Sequence, residues 1–444
     1  MTLPDNITYR YLLEKAWPIV LANAAVPLLG LVDTAVIGNV GSVEDLGAIA
    51  FGALIFSFVY WSFGFLRMGT TGFVAQAAGA GDEVEIRAIL GRVWLLAVML
   101  GLLLIVLQWP IGQLALLLLD GSASVEATTA EYFYLRIWGA PATLTGFVLM
   151  GVLVGLGDSK QLLYVQLFLN GLNIVLDVTF AGYLNLGARG IALGTVIAEW
   201  STVVFASWLI IRGLQRRNVS GEPFWPWSRI LDRQAMLRAA AANSDIMIRT
   251  LLMIFSFAFF INQSAQFGDV ALAATHLLLQ LISFSAFFLD GYAFVIESLV
   301  GTAKGKRDRI AFDVAVRRST ILALVTAIAL ALVIVLLGET LIRMLTDILQ
   351  VRQAAGSMRY MAAAYVLMSF AAFQLDGIFI GVSSTRQMRH AAFIAIACFL
   401  LLWSVLVGPF GFTGLWLAMI FYVVARAGAL LLFYPQLRNS IGAQ

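Results

Sequence analysis

The chain has 444 residues, of which 61% are hydrophobic and 12% are charged, and its formal net charge is +3. A soluble protein of this composition would expose an extensive apolar surface, so the composition excludes a soluble globular protein and indicates a membrane protein. The sequence has one cysteine and two histidines. It contains no phosphate-binding Gly-x-x-x-x-Gly-Lys-Ser/Thr loop, so we expect no cofactor, no metal centre and no direct use of ATP.

Twelve segments are long and apolar enough to span a membrane, since a helix needs about 20 apolar residues to cross the hydrocarbon layer. The sequence therefore predicts an all-α integral membrane protein. The first six spans are predicted at residues 14–38, 46–78, 87–108, 131–156, 162–182 and 188–211. The last six are predicted at residues 235–267, 270–303, 310–337, 358–382, 389–408 and 411–434.

Basic residues indicate the orientation, because Lys and Arg accumulate on the cytoplasmic side of a membrane. Most of the 28 Lys and Arg residues lie at span ends on one side. The opposite ends hold Arg136, Arg189, Arg343, Arg352 and Arg359. Both termini are therefore predicted to be cytoplasmic, in a cell (inner) membrane. This explains the basic runs without nucleic acid, so we expect the lipid bilayer as a partner and no nucleic-acid partner.

The second half of the chain repeats the first. Gly-Leu-Gly-Asp-Ser-Lys-Gln at residues 155–161 recurs as Gly-Val-Ser-Ser-Thr-Arg-Gln at residues 381–387. Six spans per half is an even number, so both halves enter the membrane from the same side. The sequence therefore predicts two pseudo-symmetric six-helix lobes related as a parallel repeat about the membrane normal. The N-lobe is predicted at residues 1–211, a cytoplasmic linker at 212–234 and the C-lobe at 235–444.

The first span combines an acid with prolines. Its small or polar residues recur at helical spacing on one face, with Asp33 beside them: Asn23, Pro27, Gly30 and Thr34. An ionisable side chain in lipid is costly and usually functional. Pro18 and Pro27 each remove a backbone donor, so this helix is predicted to bend.

The fifth and sixth spans carry polar stripes. Gln166, Asn170, Asn173 and Asp177 follow one another at spacings of four, three and four, and Thr195 and Glu199 lie four apart in the sixth span. We predict that Asp33, Asn173, Asp177 and Thr195 meet and form a proton-binding site, because burial and a neighbouring carboxylate favour the protonated form of one acid. Sodium near Asp33 and Asp177 is the alternative. A purely structural role, hydrogen bonding between helices, also remains open, most of all for Asn170.

The second half has further buried polar groups. Gln280, Asp290 and Glu297 share a face of the eighth span, flanked by phenylalanines, and are candidates for contact with a cationic aromatic molecule or for ion pairing. Asp376 in the tenth span is another cavity candidate, as are Asn23, Gln166, Asn170 and Glu199 in the first half. Asp245 and Arg249 lie one helical turn apart, and their spacing favours an ion pair.

Several segments in order resemble the DinF branch of the multidrug and toxic compound extrusion (MATE) family. These are Val-Pro-Leu-Leu-Gly-Leu-Val-Asp-Thr-Ala-Val-Ile-Gly (26–38), Leu-Arg-Met-Gly-Thr-Thr-Gly (66–72), Leu-Asn-Ile-Val-Leu-Asp-Val (172–178), Asp-Ile-Met-Ile-Arg (245–249), Leu-Asp-Gly-Tyr-Ala-Phe (289–294) and Leu-Asp-Gly-Ile-Phe-Ile-Gly (375–381). The resemblance implies twelve helices in two lobes that open alternately to either side of the membrane.

The resemblance also implies roles for individual residues. Asp33 matches the family's first-helix proton site and Pro18 its helix-bending proline. Asn173 with Asp177 matches the fifth-helix pair, and Thr195 matches a sixth-helix threonine. Some relatives use a seventh-helix Glu for a cation site, and this chain has no such acid beyond Asp245.

Together these features predict a secondary active multidrug efflux antiporter, not an enzyme. It would export drug-like organic cations or amphiphiles in exchange for protons, with sodium as the other candidate ion, and we expect a monomer. A lipid-linked oligosaccharide flippase of the same superfamily is the alternative, although buried acids suit a pyrophosphate poorly. A channel or an intramembrane enzyme is less consistent with the sequence.

Overall fold

The computed structural model describes residues 7–117, 122–217 and 223–442, and within those ranges the chain is helical without strands. The side chain of Pro27 lies outside this description. The helices of the first half are α1 (Tyr9–Val40), α2 (Val43–Trp61), α3 (Phe65–Ala80), α4 (Glu83–Val106), α5 (Gln108–Leu117), α6 (Ala123–Arg136), α7 (Ala140–Gly155), α8 (Ser159–Asp177) and α9 (Gly187–Gln215). Those that follow are α10 (Trp227–Ile230), α11 (Arg233–Ala265), α12 (Asp269–Lys306), α13 (Arg309–Leu345), α14 (Leu349–Gly381) and α15 (Thr385–Asn439).

The helices account for twelve membrane spans. Ten stretches of the described residues are long and apolar enough to cross a membrane. One of them, α15, has 55 residues and would measure about 80 Å as a single helix, far more than one crossing needs. It contains Gly411 at φ +54°, which divides it into two spans. The 32-residue α1 adds the twelfth, so the predicted number is confirmed for the described part.

The break at Gly411 depends on glycine at two positions. Gly411 has a positive φ that residues with a Cβ rarely adopt. Beyond the turn, a Cβ on Gly414 would overlap the carbonyl oxygen of Leu406. The returning backbone therefore contacts the outgoing backbone directly.

The chain divides into two compact units. The first unit comprises Leu21–Ala77 and Asp82–Ala239, and the second comprises Met1–Val20, Ala78–Gly81 and Ala240–Gln444. The early part of α1 thus groups with the C-terminal helices, while the later part, with Asp33, belongs to the first unit. The predicted linker residues group with the first unit.

The linker contains a short helix that the sequence did not predict. Arg92 donates hydrogen bonds from α4 to the carbonyl oxygens of Arg229 (2.7 Å) and Ile230 (3.3 Å). The Arg229 side chain pairs in turn with Asp82, at 2.9 Å. These contacts fasten α10 to the start of α4.

Helices α12 and α14 of the second unit pack at close range through two glycines. Gly377 and Gly381 lie four residues apart on α14 and so share a face. A Cβ on Gly377 would lie 2.6 Å from the carbonyl oxygen of Ala293, and one on Gly381 would overlap that of Glu297. Small residues at this spacing let two membrane helices approach backbone to backbone.

We expect Gly381→Ala to lower the thermal stability of the protein, because the methyl group cannot fit without separating α12 from α14. Overpacking of this kind typically costs about 1–3 kcal/mol. The matched control is Gly428→Ala, since Gly428 lies inside α15 and a Cβ added there would meet nothing within 4 Å. Melting curves in detergent should show a lower midpoint for Gly381→Ala alone. An unchanged midpoint would contradict the close packing.

Candidate functional site

The polar stripe of α8 faces the protein interior. Gln166 and Asn170 are each 8% exposed, and Asn173 and Asp177 are fully buried. The amide of Gln166 contacts the sulfur of Met150 at 3.3 Å. The helical spacing seen in the sequence therefore does place four polar side chains on one buried face.

Four predicted residues form one cluster in the first unit, here called the carboxyl cluster: Asp33, Asn173, Asp177 and Thr195. The side chains of Asp33 and Asp177 lie next to each other. With its amide oriented to satisfy its neighbours, Asn173 donates to Asp177 Oδ2 at 2.7 Å. Its carbonyl oxygen then accepts from the Thr195 backbone N–H at 3.3 Å and lies 3.1 Å from the Thr195 hydroxyl, which donates to the carbonyl oxygen of Ile191 at 2.8 Å. Helices α1, α8 and α9 thus each contribute to the cluster.

The local backbone makes room for Asp177. A Cβ on Gly194 of α9 would lie 2.5 Å from Asp177 Oδ1, so only glycine leaves space for the carboxyl group. Directly after Asp177 the chain changes to a π-helical turn, Val178–Tyr183. Such turns are rare and often occur at functional sites. The sequence stripe predicted Asp177, but neither Gly194 nor the π-turn.

Two buried carboxyl oxygens in the cluster are not hydrogen-bonded. Oδ1 of Asp33 and Oδ1 of Asp177 have no partner among residues 7–117, 122–217 and 223–442. A buried polar atom without a partner is costly, and more so when the group is charged. The arrangement therefore disfavours two ionised carboxylates at the same time.

Glu199 forms a buried ion pair in the first unit. Arg136 donates to both of its carboxylate oxygens, at 2.9 and 2.5 Å, and Thr143 donates to Oε2 at 2.8 Å. The Arg136 and Glu199 side chains are 9% and 12% exposed. The guanidinium also lies over the rings of Phe56 and Tyr60.

Arg136 is the main residue whose environment the sequence did not predict, because it was counted among charges at the ends of spans. It lies within electrostatic reach of both Asp33 and Asp177. Its signal in the sequence was a neighbouring glycine: a Cβ on Gly139 would lie 2.6 Å from both Arg136 Nη1 and Glu199 Oε2.

The remaining candidates of α1 occupy a continuous helix. Pro18 is buried, Asn23 is half-buried, and α1 runs through both Pro18 and Pro27 without a break. Because proline has no N–H, the helix bonds to the carbonyls of Glu14 and Asn23 are absent. The predicted bending of α1 at these prolines stays a prediction.

In the second unit the candidates do not share one environment. Along α12, Gln280 is exposed, Asp290 is half-buried and Glu297 is buried. Asp376 is paired with two guanidinium groups, directly with Arg249 and at 3.5 Å with Arg426.

Asp245 pairs with Arg389 at 2.6 Å and accepts a hydrogen bond from Thr385 at 3.1 Å. The ionic partners of Asp245 and Arg249 thus come from α15 and α14, whereas the sequence spacing had favoured a pair within α11. Among the described residues no group of three or more His, Cys, Asp or Glu side chains could hold a metal ion.

The sequence profile of the MatE family matches the chain twice, at residues 18–179 and 246–406. The chain belongs to the MatE family. It is therefore a transporter in a family of transporters, not of enzymes. The MatE chain is 36% identical over 424 residues to DNA damage-inducible protein F of Escherichia coli K12, covering 94% of this chain and 90% of that protein.

A second relative and a solved structure agree with this family assignment. The MatE chain is 24% identical to the probable multidrug resistance protein NorM of Thermotoga maritima, over 96% of this chain and 92% of that one. A solved outward-facing multidrug resistance MATE transporter superposes with a TM-score of 0.86 at 17% identity, covering 98% and 96% of the two chains. At this identity the likeness shows the fold, so the predicted all-α architecture of two six-helix lobes is confirmed.

We expect Glu199→Gln to destabilise the protein strongly, because it leaves the Arg136 guanidinium buried without its counter-charge. Breaking a buried ion pair typically costs about 3–5 kcal/mol. The control is Glu131→Gln, which breaks the exposed Glu131–Arg189 pair, worth about 0–1 kcal/mol. Thermal unfolding of both variants checks this, and equal midpoints would argue against a structural role for the Arg136–Glu199 pair.

Proposed function

We propose that this MatE protein is an antiporter that exports drug-like organic cations and amphiphiles in exchange for protons. The observation that carries the proposal is the pair of neighbouring acids Asp33 and Asp177, buried beside Asn173 and Thr195. The multidrug resistance named for the Thermotoga maritima relative supports this cargo. The proposed location is the cell (inner) membrane, with both termini cytoplasmic.

The closeness of the two acids favours a bound proton. An ionised carboxylate only accepts hydrogen bonds, so a hydrogen bond between the two acids can form only when one of them is protonated. Two charged carboxylates at this distance in low dielectric repel each other strongly, and such pairs share one proton. Loss of that proton would leave two adjacent negative charges, which favours binding of a cation or separation of α1 from α8.

The neighbours of the pair favour a proton over sodium. Sodium would bind oxygen atoms, yet the Asn173 group nearest Asp177 is its NH₂, which donates to Oδ2. In this orientation the Asn173 oxygen accepts from the Thr195 backbone N–H. A sodium ion at Asp33 and Asp177 would have to displace these hydrogen bonds.

Helix α1 is the proposed moving part. It carries Asp33, it lacks two backbone hydrogen bonds at Pro18 and Pro27, and its two ends belong to different compact units. Protonation of the pair would draw Asp33 toward α8, and deprotonation would release it. A proton and an organic cation that compete for the same carboxyl groups are coupled without touching each other.

We expect Asp33→Asn and Asp177→Asn each to abolish the proton release that follows addition of a fluorescent organic cation to purified protein. An asparagine cannot exchange a proton for the cation. Asp347→Asn is the control, since the Asp347 side chain is fully exposed. Proton release is measured with a pH dye in weakly buffered detergent solution. Normal release by either cluster variant would refute its role. Gel filtration distinguishes a specific loss of release from misfolding of the variant.

The exchange of one proton for one monovalent cation moves no net charge. Export would then be driven by the pH gradient alone, at about 1.4 kcal/mol or a tenfold concentration ratio per pH unit. In proteoliposomes we expect cation transport to survive collapse of the membrane potential and to stop when the pH gradient is dissipated. Transport driven by a sodium gradient at equal pH on both sides would contradict proton coupling and favour coupling to sodium.

A further inference from the structure

A separate cavity lies in the first unit where α7 ends, α8 begins and α9 ends. Its volume is about 200 Å³. One part of its lining is apolar, with Leu153 and Leu156 from the end of α7 and Leu209 and Ile210 from α9. Sites for drug-sized molecules are usually about 300–1,000 Å³, so the cavity suits a smaller group.

The other part of the lining is polar and mostly basic. Arg216 and Arg217 follow the last turn of α9, and both are exposed. Asp158 and Gln161 line the cavity from the start of α8. Two arginines and one aspartate line this part, so it has an excess of positive charge and matches an anion that also carries apolar groups.

In the predicted membrane orientation, the cavity would lie near the level where lipid headgroups meet acyl chains. Trp208, 52% exposed, precedes Arg212 by one helical turn, and the Arg212 guanidinium lies over its ring at 5.3 Å. Exposed tryptophans mark the membrane interface, and the basic residues that follow mark its cytoplasmic side. Arg216 and Arg217 are therefore at headgroup level.

The cavity is distinct from the carboxyl cluster. Gln161 and Asp177 lie on the same helix but 16 residues apart, which places them about 24 Å from each other along α8. None of the residues that line the cavity belongs to the cluster. The cavity is accordingly not explained by the proposed exchange of protons for cargo.

We propose that this cavity binds one anionic phospholipid of the cytoplasmic leaflet. The phosphate group contacts Arg216 and Arg217, and the first acyl carbons cover the leucines. An inorganic phosphate would gain nothing from the apolar lining, and a lipid without net charge would gain less from the excess of arginine. Neither of these alternatives uses the whole cavity.

Gly213 offers a way to close the cavity without disturbing the fold. It lines the cavity, it lies in a helix, and a Cβ added there meets nothing within 4 Å. Gly213→Leu would fill the space that the lipid needs. Gly213→Ala is the matched control, because a single methyl group leaves most of that space open.

The test is native mass spectrometry of the purified protein titrated with phosphatidylglycerol, phosphatidylcholine or glycerol phosphate. We expect one saturable phosphatidylglycerol on the wild type. Each basic residue near an anionic lipid contributes about fivefold in affinity, so Arg216→Gln with Arg217→Gln should weaken binding about 25-fold. Gly213→Leu should abolish it. Gly213→Ala should bind normally, as should Arg233→Gln with Arg238→Gln, a pair of exposed arginines of the same unit that do not line the cavity.

Three results would overturn the proposal. The first is equal binding of phosphatidylcholine, which would mean a nonspecific apolar contact. The second is equal binding of glycerol phosphate, which would mean a soluble anion site. The third is unchanged phosphatidylglycerol binding in Gly213→Leu or in the Arg216/Arg217 double variant. Melting curves of every variant establish that loss of lipid is not loss of the fold.

Discussion

The proposed proton coupling depends on one contact, that between the carboxyl groups of Asp33 and Asp177. In a membrane protein a buried carboxyl group is expensive, and two side by side are tolerated together only if they share a proton. The surroundings suit that arrangement: Asn173 donates to the pair, and Gly194 leaves space for it. In the proposed mechanism, such a site links the charge state of α8 to the position of α1.

The buried acids have different neighbours in the two units, although the second half of the sequence repeats the first. Asp376 in the second unit is held by the guanidinium groups of Arg249 and Arg426. These supply permanent positive charge, so Asp376 needs neither a proton nor a metal ion to be neutralised. In the proposed mechanism Asp33 and Asp177 instead share a proton that can be exchanged, which reduces the negative charge of the pair from two to one. This asymmetry is why the proposed coupling is assigned to the first unit.

The sequence predicted the membrane spans and the α8 stripe because both follow from periodicity: apolar length for the spans, and spacings of three and four for the stripe. It could not predict which charged residues lie at the ends of spans and which lie inside. Arg136 looks like a flanking charge, yet its burial is decided by Glu199, 63 positions away. The partner of Asp245, Arg389, is likewise set by helix packing. The sequence did predict the break near Gly411, because it placed a turn between the last two predicted spans.

The proposed coupling requires that one of the two acids is protonated in the resting protein at neutral pH. Infrared difference spectroscopy tests this directly, because a protonated carboxyl group has a C=O stretch that a carboxylate lacks. We expect such a band in the wild type, its loss on addition of an organic cation, and its absence from the Asp33→Asn, Asp177→Asn double variant. A wild-type spectrum without a protonated carboxyl group, or an identical band in the double variant, would contradict proton sharing by the pair.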